Sequence, residues 1–81
     1  MRKYENSYFK VTFFKDKISI LQKDIEEKII YVKNIQSIAF YNFSEKYIKI
    51  YTENEIIKLN CSDISTDIMN ELYDNLQKKL K

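Results

Sequence analysis

The 81-residue chain contains no glycine, no proline, no histidine and no tryptophan, and only one cysteine. Each gap excludes something. Without glycine there is no Gly-rich phosphate loop, no dinucleotide fingerprint and no Gly-x-Ser-x-Gly elbow. Without histidine the usual general base and the commonest metal ligand are missing. Carboxylates alone could catalyse only as a buried, convergent pair, and no such pair stands out. No catalytic residue, metal site or cofactor is therefore assigned, and the chain is expected not to be an enzyme. A lone Cys61 permits no internal disulfide, which fits a reducing compartment. Arg2 is the only arginine among 14 basic residues, whereas bidentate recognition of phosphate or guanine usually draws on arginine. Twelve acidic residues bring the net charge to +2, too balanced to announce nucleic acid.

Long apolar runs are lacking as well. Residues 1–10 carry basic side chains with no apolar stretch behind them, unlike a signal peptide, and no run approaches the length of a spanning helix. A cytoplasmic protein is expected, in its own cell or in an infected one.

What is present points to one small sheet-rich domain. A chain of this length buries only about 60–65% of its unfolded surface, so a partner or a second copy would help it. It is 44% hydrophobic and 15% aromatic, too apolar for intrinsic disorder. Isoleucine, lysine, asparagine and tyrosine supply 40 of the residues. Their codons are A/T-rich, a bias that fits a low-GC bacterium or one of its phages.

Apolar residues alternate along most of the chain. Phe9, Val11 and Phe13 share one face of a first strand over residues 8–14; Ile18 and Ile20 mark a second, hairpin-linked strand. Residues 22–28 read as an acidic loop with Asp24, Glu26 and Glu27. Strands follow at 29–33, at 35–43 with Ile38 and Phe40 on one face, and at 47–52 with Ile48 and Ile50 inward. The sixth, 55–61, turns Ile57, Leu59 and Cys61 inward. The spacing then changes. Ile64, Ile68, Leu72, Leu76 and Leu80 recur every four residues, with Met69 and Tyr73 beside them, which predicts an amphipathic helix over 64–80 packed on its own sheet. Asp63, Ser65 and Thr66 are its N-cap candidates, and Lys78, Lys79 and Lys81 suit the negative end of its dipole. The expected class is α+β: a six- to seven-stranded antiparallel sheet or open barrel closed by one C-terminal helix. With neither glycine nor proline, turns of types I′ and II′ are disfavoured and Asp, Asn and Ser turns are expected.

The pattern Val11-x-Phe13-x-x-x-x-Ile18-x-Ile20, then Lys28-Ile-Ile-Tyr-Val-Lys-Asn-Ile35-x-x-Ile38, Tyr47-Ile-Lys-Ile-Tyr51, Ile56-Ile-Lys-Leu59 and the closing helix resembles the small bacterial pleckstrin-homology-like domains. The resemblance runs from Phe9 onward and consists of apolar spacing, not of a chemical motif. It implies a binding scaffold with varied partners and carries no catalytic residues. A full barrel of that type has seven strands, so either the barrel is open or residues 2–6 add the missing one.

Tyr47, Lys49 and Tyr51 face outward with Lys58 beside them, an aromatic and basic interleaving that could stack bases and neutralise phosphates; tyrosine is also a good strand former on a wet face. Tyr41 and Phe43 lie close to Tyr47 near the 44–46 turn and could anchor a protein partner, or Phe43 could fold over the core edge. The acidic loop could meet a basic partner or be solvated, and Cys61, with no histidine to activate it, is expected as a buried thiol. Three functions follow in order. First is a non-enzymatic protein-interaction module, for example a small phage- or mobile-element-encoded inhibitor of a host protein, with homodimerisation through an edge strand or the aromatic patch as one form. Second is a binder of anionic membrane lipid, if Lys10, Lys15, Lys17, Lys46 and Lys49 gather at one rim. Third is a single-stranded nucleic-acid binder.

Overall fold

The computed structural model describes residues 2–23, 25 and 27–80. The order of elements is β1 (Lys3–Glu5), β2 (Phe9–Phe13), β3 (Lys17–Gln22), β4 (Lys28–Tyr31), a 3-10 turn at Val32–Asn34, β5 (Ile35–Asn42), β6 (Lys46–Thr52), β7 (Ile56–Asn60) and α1 (Thr66–Lys79). Strands β1 to β4 form one antiparallel sheet in sequential order and β5 to β7 a second. The fold is α+β, and the two sheets are not closed into a barrel.

The seventh strand comes from the N-terminal residues: β1 pairs with β2 through Lys3↔Thr12 and Glu5↔Lys10. One strand end and the helix start differ by two residues from the sequence expectation. The third predicted strand stops at Tyr31, where the backbone tightens into the 3-10 turn. That turn carries the chain from one sheet to the other, and the Val32 amide makes a last bond towards β3, donating to the Asp16 carbonyl at 3.0 Å. The helix starts at Thr66, later than the apolar spacing implied. Of the three cap candidates Ser65 is the one used, its hydroxyl accepting from the Ile68 amide at 3.2 Å.

Side chains do the work that glycine would do at the turns. The Asn6 carboxamide oxygen accepts from the amides of Tyr8 and Phe9 at 2.9 and 2.8 Å, closing the β1–β2 connection. Thr52 Oγ1 accepts from the Asn54 and Glu55 amides between β6 and β7. Asn60 Oδ1 holds the Ser62 amide where the chain leaves β7. Local bonds of this kind stabilise turns without a left-handed residue.

Alternation places Phe9, Val11, Phe13, Ile18, Ile20, Ile48, Ile50, Ile57, Leu59 and Cys61 in the core, as their spacing predicts. The helix adds Met69, Leu72 and Leu76, each fully buried. Tyr73 meets Phe40 of β5 edge-on at 5.2 Å. The stripe is therefore rotated from the predicted one, because Ile68 is 45% exposed. At 3.6 residues per turn a spacing of four overshoots each turn by about 40°. Five residues so spaced drift around the helix and cannot all face one core.

The N-terminal strand is tied to the helix. Arg2 Nη1 donates to Glu71 Oε1 at 2.6 Å, Tyr4 Oη donates to the same oxygen at 3.0 Å, and Asn75 Nδ2 donates to Tyr4 Oη. Ser19 is the one buried polar residue among those described, and its hydroxyl donates to the Glu27 carboxylate.

Candidate functional site

Strands β5, β6 and β7 turn their alternate residues away from the core, and their register sets those residues in rows. Ser37, Tyr51 and Ile56 form one row; Ala39, Lys49 and Lys58 form the next; Tyr41, Tyr47 and Asn60 form the third. Five of the six residues singled out in the sequence, Tyr41, Tyr47, Lys49, Tyr51 and Lys58, thus share the outer face of the second sheet. Tyr47, Lys49, Tyr51 and Lys58 stand on the neighbouring strands β6 and β7, across all three rows. Tyr41 joins them only because β5 pairs with β6, a contact that alternation within one strand does not reveal.

The side chains on this face engage one another. The rings of Tyr41 and Tyr47 stack with centroids 4.5 Å apart and planes 20° from parallel. Lys49 Nζ stands 5.8 Å from the Tyr41 ring and 5.7 Å from the Tyr47 ring; Lys58 Nζ stands 4.3 Å from Tyr47. Such cation–ring contacts are worth about 0.5–1 kcal/mol on an exposed surface. Lys58 also lies 3.7 Å from Glu45. Hydrogen bonding with Tyr41, ahead of desolvation, pushes the Tyr51 hydroxyl above its ordinary pKa. The face is thus a preassembled aromatic layer with two ammonium groups set into it.

Phe43, the sixth residue, is not folded over the core edge. It sits between β5 and β6 at 88% exposure, more than any other large apolar residue described. In that turn its amide donates to the Glu45 carbonyl at 3.2 Å. Together with residues 44–47, Lys58, Asn60 and Ser62 it borders a shallow cleft of about 350 Å³. Ile56, on the same sheet face, is 59% exposed.

Other sequence candidates separate. Lys10 and Lys17 lie on the first sheet, Lys15 in the β2–β3 turn, and Lys46 and Lys49 on the second sheet. Lys46 is engaged with the Ile64 carbonyl, so these five do not form one rim. Of the acidic loop, Asp24 and Glu26 lie outside the described residues, and Glu27 accepts from Ser19. Cys61 is fully buried, and burial pushes its thiol up to about 11, with Lys46 opposing. Among the described residues no three His, Cys, Asp or Glu side chains gather to hold a metal, and no helix is long and apolar enough to cross a membrane.

The sequence did not single out a second cleft, of about 570 Å³, between the β2–β3 turn and the last turn of α1. Arg2, Phe13, Phe14, Lys15, Asn75, Lys78 and Lys79 line it. Its residues come from three distant stretches of chain. No local spacing signals it, and Lys78 and Lys79 have a sufficient local reason to be where they are in the helix dipole.

No family model matches the chain, and no curated protein matches it either.

Proposed function

We propose that the chain is a non-enzymatic protein-interaction module that docks a partner on the outer face of the β5–β7 sheet, with Phe43 as the anchor. The observation that carries the reading is Phe43 itself, 88% exposed beside a stacked tyrosine pair and two lysines. A large aromatic exposed in a turn, next to further aromatic surface, is the composition of an interface hot spot. The ring faces of Tyr41 and Tyr47 are already occupied by each other and by Lys49 and Lys58. That leaves little ring face for stacking nucleotide bases and favours a protein partner over single-stranded nucleic acid.

Seven strands followed by one C-terminal helix support a pleckstrin-homology-like scaffold for this module. Blockade of a host protein by a mobile-element product is the inhibitory form of the same reading, and a second copy bound at this face is its homodimeric form.

The test is capture from lysate by the wild-type chain and by Phe43→Ala/Lys49→Glu. Both side chains lie outside the core, so the variant should keep its fold, with stability within about 1 kcal/mol of wild type. A partner recovered in stoichiometric amount should bind the variant at least about tenfold more weakly. Equal recovery by both, or no stoichiometric partner together with a monomeric mass by light scattering, refutes the proposal.

A further inference from the structure

Near-neutral overall charge conceals an uneven distribution. Of the residues lining the cleft between the β2–β3 turn and the C-terminal turn of α1, Arg2, Lys15, Lys78 and Lys79 are cationic and none is acidic. The helix dipole accounts for Lys78 and Lys79, which sit in its last turn. It does not account for Arg2, which precedes β1, or for Lys15, in a turn between strands. Two of the four cations are held in place. Lys79 Nζ donates to the carbonyls of Phe14 and Lys15, the latter at 3.1 Å, which fastens the turn to the helix. Arg2 uses Nη1 on Glu71 at 2.6 Å. Lys15 and Lys78 are exposed and make no ion pair among the described residues. Half-buried Phe14 supplies apolar wall and Asn75 a polar group.

Glu71 offsets Arg2 and the negative end of the helix dipole offsets part of the charge of Lys78 and Lys79, but Lys15 and Lys78 have no ionic partner among the described residues, and an anion seated between them gains charge-assisted hydrogen bonds. A cleft of this size admits a small organic molecule rather than a bare ion. We propose that it binds a phosphate monoester, the dianion meeting Lys15, Lys78 and Arg2 and the organic part lying against Phe14. The monoester can be a soluble metabolite or the headgroup of a lipid such as phosphatidic acid. This site shares no residue with the tyrosine–lysine face and stands or falls independently of it.

The test follows backbone amide shifts of the full chain on titration with phenyl phosphate, inorganic phosphate and phenol. Flotation with vesicles of phosphatidylcholine, with and without phosphatidic acid, supplies the lipid arm. Phenyl phosphate should give saturable shifts at residues 14–15 and 75–79 by about 10 mM, the range that reports a millimolar Kd. Inorganic phosphate should bind more weakly and phenol not at all. Lys15→Glu/Lys78→Glu, both on exposed side chains, should weaken binding by about tenfold or more with an unchanged urea midpoint. Phosphatidic-acid flotation sensitive to the same double variant, without phenyl phosphate binding, assigns the monoester to a lipid. The inference is overturned if neither probe binds, if the shifts map elsewhere, or if the charge reversals leave binding intact.

Discussion

Replacing Met69 and Ile68 with alanine, one at a time, separates two phases of the helix. In the structure Met69 is fully buried and Ile68 is 45% exposed; the fourfold spacing in the sequence would instead put Ile68 in the buried stripe. Truncating a fully buried methionine costs about 2–5 kcal/mol, cavity included. Truncating Ile68 removes three carbons worth about 0.8 kcal/mol each when buried. Roughly half of that burial exists here, solvent fills the space, and alanine returns about 0.4 kcal/mol of helix propensity, leaving a net cost of about 0.5–1 kcal/mol. A domain of this length has about 4–12 kcal/mol to lose. At about 4–8 °C per kcal/mol, Met69→Ala should lower Tm by about 8–40 °C and Ile68→Ala by under about 8 °C. Thermal and urea unfolding followed by circular dichroism read both. Leu72 belongs to either stripe and is fully buried, so Leu72→Ala should be severe in any case and serves as the control. If Ile68→Ala proved as costly as Met69→Ala, the packing of α1 described above would be wrong.

Two titrations give further checks. Burial holds the Cys61 thiol up to about 11, so the thiolate is scarce at pH 8 and iodoacetamide should label the folded chain far more slowly than the urea-unfolded one; equal rates would contradict the burial. A raised folded pKa means the native state keeps its proton where the unfolded chain, at about 8.5, has lost it. Cys61 therefore contributes a fall in stability between about pH 8.5 and 11, a portion of the alkaline slope that Cys61→Ala should remove. Asp63 is shifted the other way. The Ser7 amide donates to its carboxylate at 2.9 Å and, as the largest cause, lowers its pKa below 3.8. Its stabilising contribution is present above that ordinary value and lost as pH falls through the lower folded one. Asp63→Asn should flatten the acid limb of the urea midpoint below about pH 4, and an unchanged limb would count against the contact.

The strands were largely legible because alternation is a local signal with a single cause: each inward residue must be apolar when its outward neighbour is wet. Ile48 and Ile50 inward, with Tyr47, Lys49 and Tyr51 outward, follow from that rule alone. The β1 strand was not legible in the same way, since three residues carry too short a pattern and Tyr4 is fixed by Glu71 and Asn75, 67 and 71 positions away. Phe43 had two readings in the sequence, and the choice fell to the β5–β6 turn, where its ring lies exposed and not over the core edge.

Composition and periodicity by themselves determined the α+β class, the inward faces of the strands, the wet tyrosine–lysine face and the lack of any histidine or glycine chemistry. All of these depend on residue identity and near-neighbour spacing. Tertiary structure decided the division into two sheets, the rotation of the helix about its axis and the meeting of Arg2, Lys15, Lys78 and Lys79 around one cleft. Those depend on which distant surfaces bury each other best, and a one-dimensional pattern does not contain that energy.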